Sequence, residues 1–341
     1  MGMFKNMLKD DESLFLNPEF LDFDYQPKIV LFREGQQKYI GECIKPLLSG
    51  RSGRNILVSG TPGVGKSLCL RHVLKELEED FGDDIHCLYL NCWQKDSAYK
   101  IISSLCEQIG YKWTNKKVDE LMRAFCELAN KKKCVIVFDE ADKIEEQGII
   151  YNLIEGVYKN CMIFITNDSD FMINLDMRIK SRLGLAILEF EKYKMDEVFE
   201  ILRQRRDYVF VNGIWEEEAF ELICLKTYER GDIRRGLQMM KECGESAEIK
   251  ASRRILMEHC KNAVEKLKSA EADDDEMIYK VICENSGKSM GDVYKTYELF
   301  GGRKSYRTFQ RKIKNFADDG RILLKEKEMG FHGRTRVIEK I

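Results

Sequence analysis

Residues 60–67 read GTPGVGKS, which fits the pattern G-x-x-x-x-G-K-[ST]. The segment follows an apolar run, NILVSG (55–60), that is typical of a buried strand, and it opens a helix-like stretch, KSLCLRHVLKELEEDF. In such a unit the glycines let backbone N–H groups turn around phosphate oxygens, and the helix N-terminus adds a favourable dipole. The pattern therefore predicts a phosphate-binding loop between a strand and a helix.

The chemistry of this loop suggests a role for each polar side chain. Lys66 is expected to reach the β- and γ-phosphates of a nucleoside triphosphate, and Ser67 is expected to ligate Mg²⁺. The predicted cofactors are thus ATP or ADP together with Mg²⁺. The residues of this segment that we expect to bind the nucleotide are Gly60, Thr61, Pro62, Gly63, Val64, Gly65, Lys66, Ser67 and Leu68.

Polar side chains also follow two later strand-like runs. The run VIVF (135–138) ends in Asp139 and Glu140, and the run CMIFIT (161–166) ends in Asn167. The carboxyl ends of parallel strands are where α/β sheets bind ligands. We therefore expect Asp139 to hold Mg²⁺, Glu140 to polarise the attacking water and Asn167 to orient that water.

Short apolar runs alternate with helix-like stretches up to about residue 190, which predicts an α/β fold with a mostly parallel sheet covered on both faces. From about 194 to 268 the strand signals vanish and the segments look helical. Arg178 and Arg182 precede the last strand, and Arg234 opens a helix of the all-helical segment. A guanidinium in such a position can stabilise the charge that spreads over a γ-phosphate during transfer.

Composition places the chain among intracellular globular proteins of more than one domain. A chain of 341 residues is too long for one ordinary core, and no apolar run approaches the roughly 20 residues that span a bilayer. The twelve cysteines are scattered without a C-x-x-C pair, which favours small buried apolar residues in a reducing compartment. We expect a cytoplasmic protein, associated with the nucleoid and not with a membrane.

Charge is concentrated near the C-terminus. Residues 276–341 hold fifteen Lys/Arg and nine Asp/Glu, a net charge of +6, so the rest of the chain carries -8 of the total of -2. The stretch RKSYRTFQRKIKNF (303–316) repeats apolar residues at helical spacing, with cations on the opposite side. A charge run alone is usually a solvated surface helix, but here the neighbouring segments favour a DNA-binding helix.

Those neighbours are two helix-like stretches before the basic helix and two alternating strands after it, the arrangement of a winged helix. In that fold the third helix enters the major groove of DNA and the wing reaches the adjacent minor groove. Tyr306, Phe309, Ile313 and Phe316 are expected to face the core. The predicted DNA-binding residues are Arg303, Lys304, Arg307, Arg311 and Lys314 on the helix, and Arg334 and Arg336 on the wing.

The order of motifs resembles an AAA+ ATPase of the initiator group: a phosphate loop, a D-E strand, an Asn strand, an arginine turn and G-D-x-R in a helical lid. The segments YQP (25–27), FREGQ (32–36) and LYLNCWQKDSAYKIISSLCEQIG are similar to the archaeal origin-recognition and helicase-loading initiators of the ORC/Cdc six family. The resemblance spans residues 15–341. It implies that Tyr25 and Arg33 lie near the adenine, that Asn167 and Arg234 are the two sensor residues, and that Arg178 or Arg182 is the arginine finger.

The expected architecture is an AAA+ nucleotide-binding base domain (1–192), a helical lid (193–270) and a C-terminal winged-helix domain (271–341). The resemblance implies a slow Mg²⁺-dependent ATPase that binds origin double-stranded DNA, recruits the replicative MCM helicase and works with paralogous initiator subunits. Two alternatives stay open from the residues alone. One is a clamp-loader-like or transposition-helper ATPase, and the other is a winged-helix transcription regulator with an ATPase switch.

Overall fold

A computed structural model describes residues 13–302, 304, 306–328 and 334–340, with the backbone alone at 270–274, 307, 326–328, 334–336, 339 and 340. The chain divides into two compact units, Met1–Cys260 and Lys261–Ile341. We call them unit 1 and unit 2 and describe each by itself.

Unit 1 is built on a five-stranded parallel sheet of order β2-β3-β4-β1-β5. The strand-like runs at 55–60, 135–138 and 161–166 all form strands, because a parallel strand that is buried on both faces reads as a continuous apolar run. The strands are β1 (Ile56–Gly60), β2 (Ile85–Asn91), β3 (Lys133–Asp139), β4 (Asn160–Thr166) and β5 (Ala186–Phe190).

Helices cover both faces of this sheet, so the base is a three-layer α/β structure as predicted. The helices of this part are α1 (Glu34–Leu48), α2 (Lys66–Phe81), α3 (Ala98–Gln108), α4 (Val118–Ala129), α5 (Gly148–Gly156), α6 (Phe171–Asn174) and α7 (Met177–Leu183). Two clusters of buried residues lie on the two faces of the sheet, and strand β3 contributes to both. Val135 and Val137 pack towards α1 and α2, whereas Ile136 and Phe138 pack towards α3, α4 and α5.

After the sheet the chain is helical, as the loss of strand signals predicts. The helices are α8 (Met195–Val209), α9 (Glu217–Arg230), α10 (Ile233–Ile249) and α11 (Met257–Glu284). Helix α11 runs without a break through the acidic stretch 270–276, which lies in the middle of the helix. The alanines and glutamates of this stretch favour helical backbone.

Among its described residues, unit 2 has three helical segments and a pair of antiparallel strands, the arrangement of a winged helix. The end of α11 is followed by α12 (Met290–Leu299), α13 (Tyr306–Asp318) and the antiparallel strands β6 (Ile322–Glu328) and β7 (Arg334–Lys340). Phe309, Ile313 and Phe316 are buried in its core, as predicted. Tyr306 is not buried as expected: its side chain is 36% exposed, and its ring packs edge-on against Tyr294.

The cysteines are placed as the composition predicts. All twelve cysteines are free thiols, and most of them are buried. Across the part of the chain that the structure describes, no helix is long and apolar enough to cross a membrane.

Candidate functional site

The sheet order brings the predicted polar residues together. Strand β4 lies between β3 and β1. Asn167 follows β4, so it sits between the acids that end β3 and the glycine-rich loop that follows β1. The carboxyl ends of the parallel strands lie at one edge of the sheet, and this edge faces a cavity of about 310 Å³ in unit 1.

The loop has the backbone that its glycines predict. Gly65 is the N-cap of α2 and adopts a left-handed conformation with φ of 88°. Gly63 also has a positive φ, 78°, and a Cβ at this position would collide with the carboxylate of Asp232. Only glycine combines this conformation with so close an approach. The loop is therefore shaped for backbone contact with a ligand and is closed on one side by the start of the lid.

Lys66 is buried beneath this loop, and its ammonium group has three acceptors. It donates to the carbonyl oxygens of Gly60 and Thr61 at 2.8 and 2.9 Å, and to Oδ1 of Asn167 at 2.6 Å. Burial lowers the pKa of Lys66 to about 8, and the nearby carboxylates of Glu140 and Asp139 partly offset that effect. A buried cation of this kind is ready to take up an anionic ligand.

Asn167 also forms hydrogen bonds with Glu140. Its side-chain amide donates to both carboxylate oxygens of Glu140, at 3.1 and 3.0 Å. Glu140 adopts a left-handed backbone conformation with φ of 55°, which is uncommon for a residue with a Cβ. Burial raises the pKa of Glu140, and the neighbouring acids Asp139 and Asp142 raise it further. Raised basicity beside a ligand cavity suits a general base.

Asp139 lies on the same edge, next to the β2 strand. The hydroxyl of Tyr89 donates to its Oδ2 in a short hydrogen bond, and the backbone N–H of Glu140 donates to its Oδ1 at 3.0 Å. Ser67 and Asp139 both line the cavity. A hydroxyl and one carboxylate fit Mg²⁺, which prefers oxygen ligands and keeps waters and phosphates in its other positions.

Mg²⁺ fits this site better than a metal that is held by protein ligands alone. Among the described residues, no group of three or more His, Cys, Asp or Glu side chains could hold a metal ion. If present, the ion would be held by Ser67 and Asp139 together with the ligand's own phosphates.

The lid closes the cavity from the opposite side. Asp232 caps α10 by accepting from the backbone N–H of Arg234 at 3.0 Å, and Nε of Arg234 lies 3.3 Å from the same carboxylate oxygen. Ile233, Arg234 and Leu237 line the cavity. Because the Arg234 side chain is about half exposed, it is free to change partners when a ligand carries negative charge.

Away from the phosphate loop, the cavity has an apolar and aromatic wall. Tyr25 stacks on Phe20 with ring centroids 4.4 Å apart, and the guanidinium carbon of Arg205 lies 4.7 Å from the centre of the Tyr25 ring. The same guanidinium donates to the carbonyl oxygen of Phe20 at 3.4 Å. Flat, partly apolar walls of this kind suit a planar base.

Most of the predicted nucleotide residues reach the cavity. Those on its wall are Tyr25, Pro62, Gly63, Gly65, Lys66, Ser67, Leu68, Asp139 and Arg234. Gly60 and Thr61 turn their carbonyl groups to the Lys66 ammonium. Val64 is buried under the loop.

Arg33 is placed differently from its expected position near a base. It is only 4% exposed and does not line the cavity. Its guanidinium donates to the carbonyl oxygens of Val64 and Glu191 at 3.1 and 2.7 Å and lies 3.9 Å from the ring centre of Tyr193. These contacts hold the back of the loop against β5, so Arg33 supports the site from behind.

The two candidate arginine fingers lie outside the cavity, on α7. Arg178 is 85% exposed, with Nε 3.6 Å from Asp176. Arg182 is 48% exposed, pairs with Glu155 and lies over the ring of Tyr151. Neither residue lines the cavity of its own chain.

Sequence reasoning missed Arg205 and Tyr89. Arg205 shares one face of α8 with Val198, Leu202 and Val209, which are all buried. An arginine at an apolar position of an amphipathic helix was the available signal. Tyr89 had no comparable signal, because an aromatic residue in a strand usually serves only packing.

In unit 2, two of the predicted DNA-binding cations, Arg311 and Lys314, lie on the exposed face of α13. Lys304 precedes α13, its side chain is only 15% exposed, and its Nζ lies 3.7 Å from Asp275. On the helix, Lys312 lies 2.5 Å from the same Asp275. Arg303 lies outside the described residues, as do the side chains of Arg307, Arg334 and Arg336.

Comparisons with known proteins agree with this arrangement. Residues 50–169 match the family described as AAA domain, and residues 199–265 match the Cdc6 AAA+ ATPase-type lid domain. The ORC1-type DNA replication protein 1 of Methanosarcina mazei is 32% identical over 281 residues, which cover 78% of this chain and 68% of the relative.

Two solved structures show the same fold over nearly the whole chain. The Aeropyrum pernix ORC1 protein in complex with DNA matches with a TM-score of 0.71 and 23% identity, over 98% of this chain and 94% of that one. The Aeropyrum pernix ORC2 protein, solved as ADPNP-ADP complexes, matches with a TM-score of 0.66 and 19% identity, over 95% and 94%. Both likenesses support the AAA+ base, the lid and the C-terminal winged helix. The chain therefore belongs to the archaeal ORC1-type DNA replication proteins, the ORC/Cdc6 family of AAA+ proteins.

Proposed function

We propose that this chain is an ATP-regulated replication initiator that binds origin double-stranded DNA and recruits the replicative MCM helicase. Unit 1 would act as a slow Mg²⁺-dependent ATPase, and unit 2 would contact the DNA. The observation that carries the proposal is the hydrogen-bonded series Lys66–Asn167–Glu140 at the edge of the sheet. It joins a phosphate-binding cation to a carboxylate of raised pKa across one cavity, which is what phosphoryl transfer to water requires.

When bound, Mg²⁺ and ATP supply a γ-phosphoryl group whose charge the metal helps to neutralise. The chain's own residues then have distinct tasks. Lys66 balances phosphate charge from below the loop, and Asn167 holds the carboxylate of Glu140 in place. Glu140 accepts the proton of the attacking water, and its raised pKa improves it as a base.

Arg234 gives the lid a way to respond to the nucleotide. Its present partner is Asp232, at the mouth of the phosphate loop. A triphosphate offers it more negative charge than one partly exposed carboxylate does, so Arg234 is drawn towards the γ-phosphate and α10 moves with it. Hydrolysis then acts as a timer that changes the state of the protein. We assign the arginine finger, which would act on the nucleotide of a neighbouring subunit, to Arg178 or Arg182. That neighbour would be a second copy of this chain or a paralogous initiator subunit.

Support for DNA as the partner comes from unit 2 and from the relatives. Arg311 and Lys314 project from α13, whose opposite face is held by the core residues Phe309 and Ile313. This is the orientation in which a winged helix presents its third helix to a major groove. The related ORC1 protein of Aeropyrum pernix is solved in complex with DNA. Family membership favours origin DNA over the clamp-loader-like and regulator alternatives.

The first experiment separates the two activities. In filter-binding assays with the full chain, Lys66→Ala is expected to abolish ATP binding and to leave binding of duplex DNA largely intact. The reason is that Lys66 is buried beside the phosphate loop, whereas the candidate DNA contacts lie on α13. An equal loss of both activities would contradict the assignment of ATP and DNA to separate units.

Two further experiments test the biological role. Chromatin immunoprecipitation is expected to give a sharp origin peak, whereas many promoter peaks would favour a transcription regulator. Beads that carry origin duplex are expected to retain purified MCM helicase only when this protein is present. Retention that does not depend on the protein would argue against recruitment.

A further inference from the structure

We propose that Tyr89 is a positioning residue that orients the Asp139 carboxylate for the divalent cation. The proposal rests on the function proposed above, since it concerns the metal that would accompany ATP. It assigns to an edge-strand tyrosine a role that its place in an apolar run does not suggest.

The Asp139 carboxylate accepts two hydrogen bonds. Val137 and Asp139 point to the same face of β3, and Tyr89 is the register partner of Val137 on β2. Tyr89 therefore lies diagonally beside Asp139 and donates its hydroxyl to Oδ2. The backbone N–H of Glu140 donates to Oδ1 at 3.0 Å. Because each carboxylate oxygen has its own donor, rotation of the Asp139 side chain is restrained.

Tyr89 is itself held in place. Strand β2 is an edge strand, so one side of its backbone lacks a strand partner among the residues that the structure describes. The Gln108 side chain at the end of α3 takes that place. It accepts from the backbone N–H of Tyr89 at 2.9 Å and donates to its carbonyl oxygen at 3.1 Å. The backbone position of Tyr89 is thereby tied to a helix as well as to the sheet.

The aromatic ring of Tyr89 contacts Arg71. The guanidinium carbon of Arg71 lies 4.8 Å from the centre of the Tyr89 ring, and Arg71 lines the nucleotide cavity one helical turn after Ser67. The contacts Arg71–Tyr89 and Tyr89–Asp139 thus connect the cavity wall to the expected metal ligand. Both residues expected to hold the metal, Ser67 and Asp139, are neighbours of this connection.

The chemistry favours a neutral donor at this position. A lysine would neutralise the carboxylate and compete with the metal, whereas a phenol orients it and leaves its charge. Partners that orient a metal ligand typically contribute about 10–100-fold to metal affinity or activity.

The test compares the full-length wild type with Tyr89→Phe, which removes only the hydroxyl. The binding of a fluorescent ATP analogue is titrated against Mg²⁺, with a parallel measurement in EDTA. We expect the half-saturating Mg²⁺ concentration to rise about 10-fold, the lower end of the range for such partners. Affinity in EDTA is expected to stay the same, since Tyr89 does not line the cavity. The matched control is Tyr111→Phe, whose hydroxyl accepts from Lys116 away from the site.

The outcomes separate this inference from the function on which it rests. If the wild type binds the analogue without any response to Mg²⁺, the proposed Mg²⁺-dependent ATPase fails. If the wild type responds and Tyr89→Phe shows the same Mg²⁺ dependence, the role of Tyr89 is overturned.

A second variant covers the case in which Tyr89→Phe does not fold. Gln108→Ala loosens the backbone of Tyr89 and leaves its hydroxyl in place. A higher Mg²⁺ requirement in this variant supports the positioning role. An unchanged requirement would contradict it.

Discussion

Asn167 donates its side-chain amide to both carboxylate oxygens of Glu140, at 3.1 and 3.0 Å. The other end of the same amide accepts from the Lys66 ammonium at 2.6 Å. A neutral side chain thus fixes the distance between a cation and an anion that would otherwise move towards each other. The arrangement keeps Glu140 available as a base and Lys66 available for phosphate.

This relationship leads to a prediction for Glu140→Gln. Glutamine keeps the shape and one acceptor for Asn167 but cannot take a proton, so ATP hydrolysis is expected to fall at least about 100-fold. ATP affinity should change little. Phosphate release and equilibrium binding measure the two effects. Glu146→Gln, an exposed acid of the following loop, is the control. If Glu140→Gln hydrolysed ATP at the wild-type rate, Glu140 would be excluded as the base.

The polar residues at this edge of the sheet could be predicted from the sequence. Buried parallel strands read as apolar runs, so the residues that follow them, Asp139 and Asn167, could be placed at one edge. Long-range packing could not be foreseen in the same way. The contact partners of Arg33 and Arg205 lie more than 150 positions away in the chain, at Glu191 and Phe20, so the sequence does not show what buries these two side chains. Nor did local sequence show that α11 continues through the acidic stretch 270–276.

The lowered pKa of Lys66 predicts that nucleotide binding is coupled to the uptake of a proton. With a pKa of about 8, the ammonium is partly deprotonated in the free protein at that pH. A bound triphosphate favours the charged form, so binding takes up a proton and ATP affinity is expected to fall as the pH rises above about 8. Calorimetry in two buffers of different ionisation enthalpy measures the uptake. Lys75→Met, on the exposed face of α2, should keep the linkage. A pH-independent affinity would contradict the lowered pKa.

Arg205→Ala is expected to weaken binding of ATP but not of inorganic tripolyphosphate. The guanidinium lies against Tyr25, on the cavity wall away from the phosphate loop, and a buried cation–π contact contributes about 2 kcal/mol or more. Without this contact the Tyr25 ring is no longer fixed on the cavity wall, so we expect ATP affinity to fall by up to about 30-fold, which corresponds to the full value of the contact. Arg203→Ala, an exposed arginine of the same helix, is the control. Equal weakening of both ligands would place Arg205 on the phosphate side instead.

Two glycines in helices should respond oppositely to alanine. At Gly244 of α10, a Cβ would collide with the ring of Phe15 and lie 2.9 Å from that of Phe210, so Gly244→Ala is expected to destabilise unit 1 by about 1–3 kcal/mol. At Gly41 of α1 a Cβ meets nothing within 4 Å, so Gly41→Ala is expected to stabilise by about 0.4–1 kcal/mol. Chemical denaturation measures both. A stabilising Gly244→Ala would show that Phe15 does not pack against α10.

The cationic face of α13 should set the salt dependence of DNA binding. Each phosphate that a cation neutralises contributes about 0.9 to the slope of log K against log salt concentration. The double variant Arg311→Ala/Lys314→Ala is therefore expected to flatten the slope by nearly 2 if both side chains contact phosphates. Lys280→Ala/Lys295→Ala removes the same charge from exposed positions on α11 and α12 and is expected to change the slope much less. Titrating duplex binding at several salt concentrations measures both variants. Equal slopes in the two would mean that the protein responds to its net charge alone, and α13 would lose its assignment as the helix that contacts DNA.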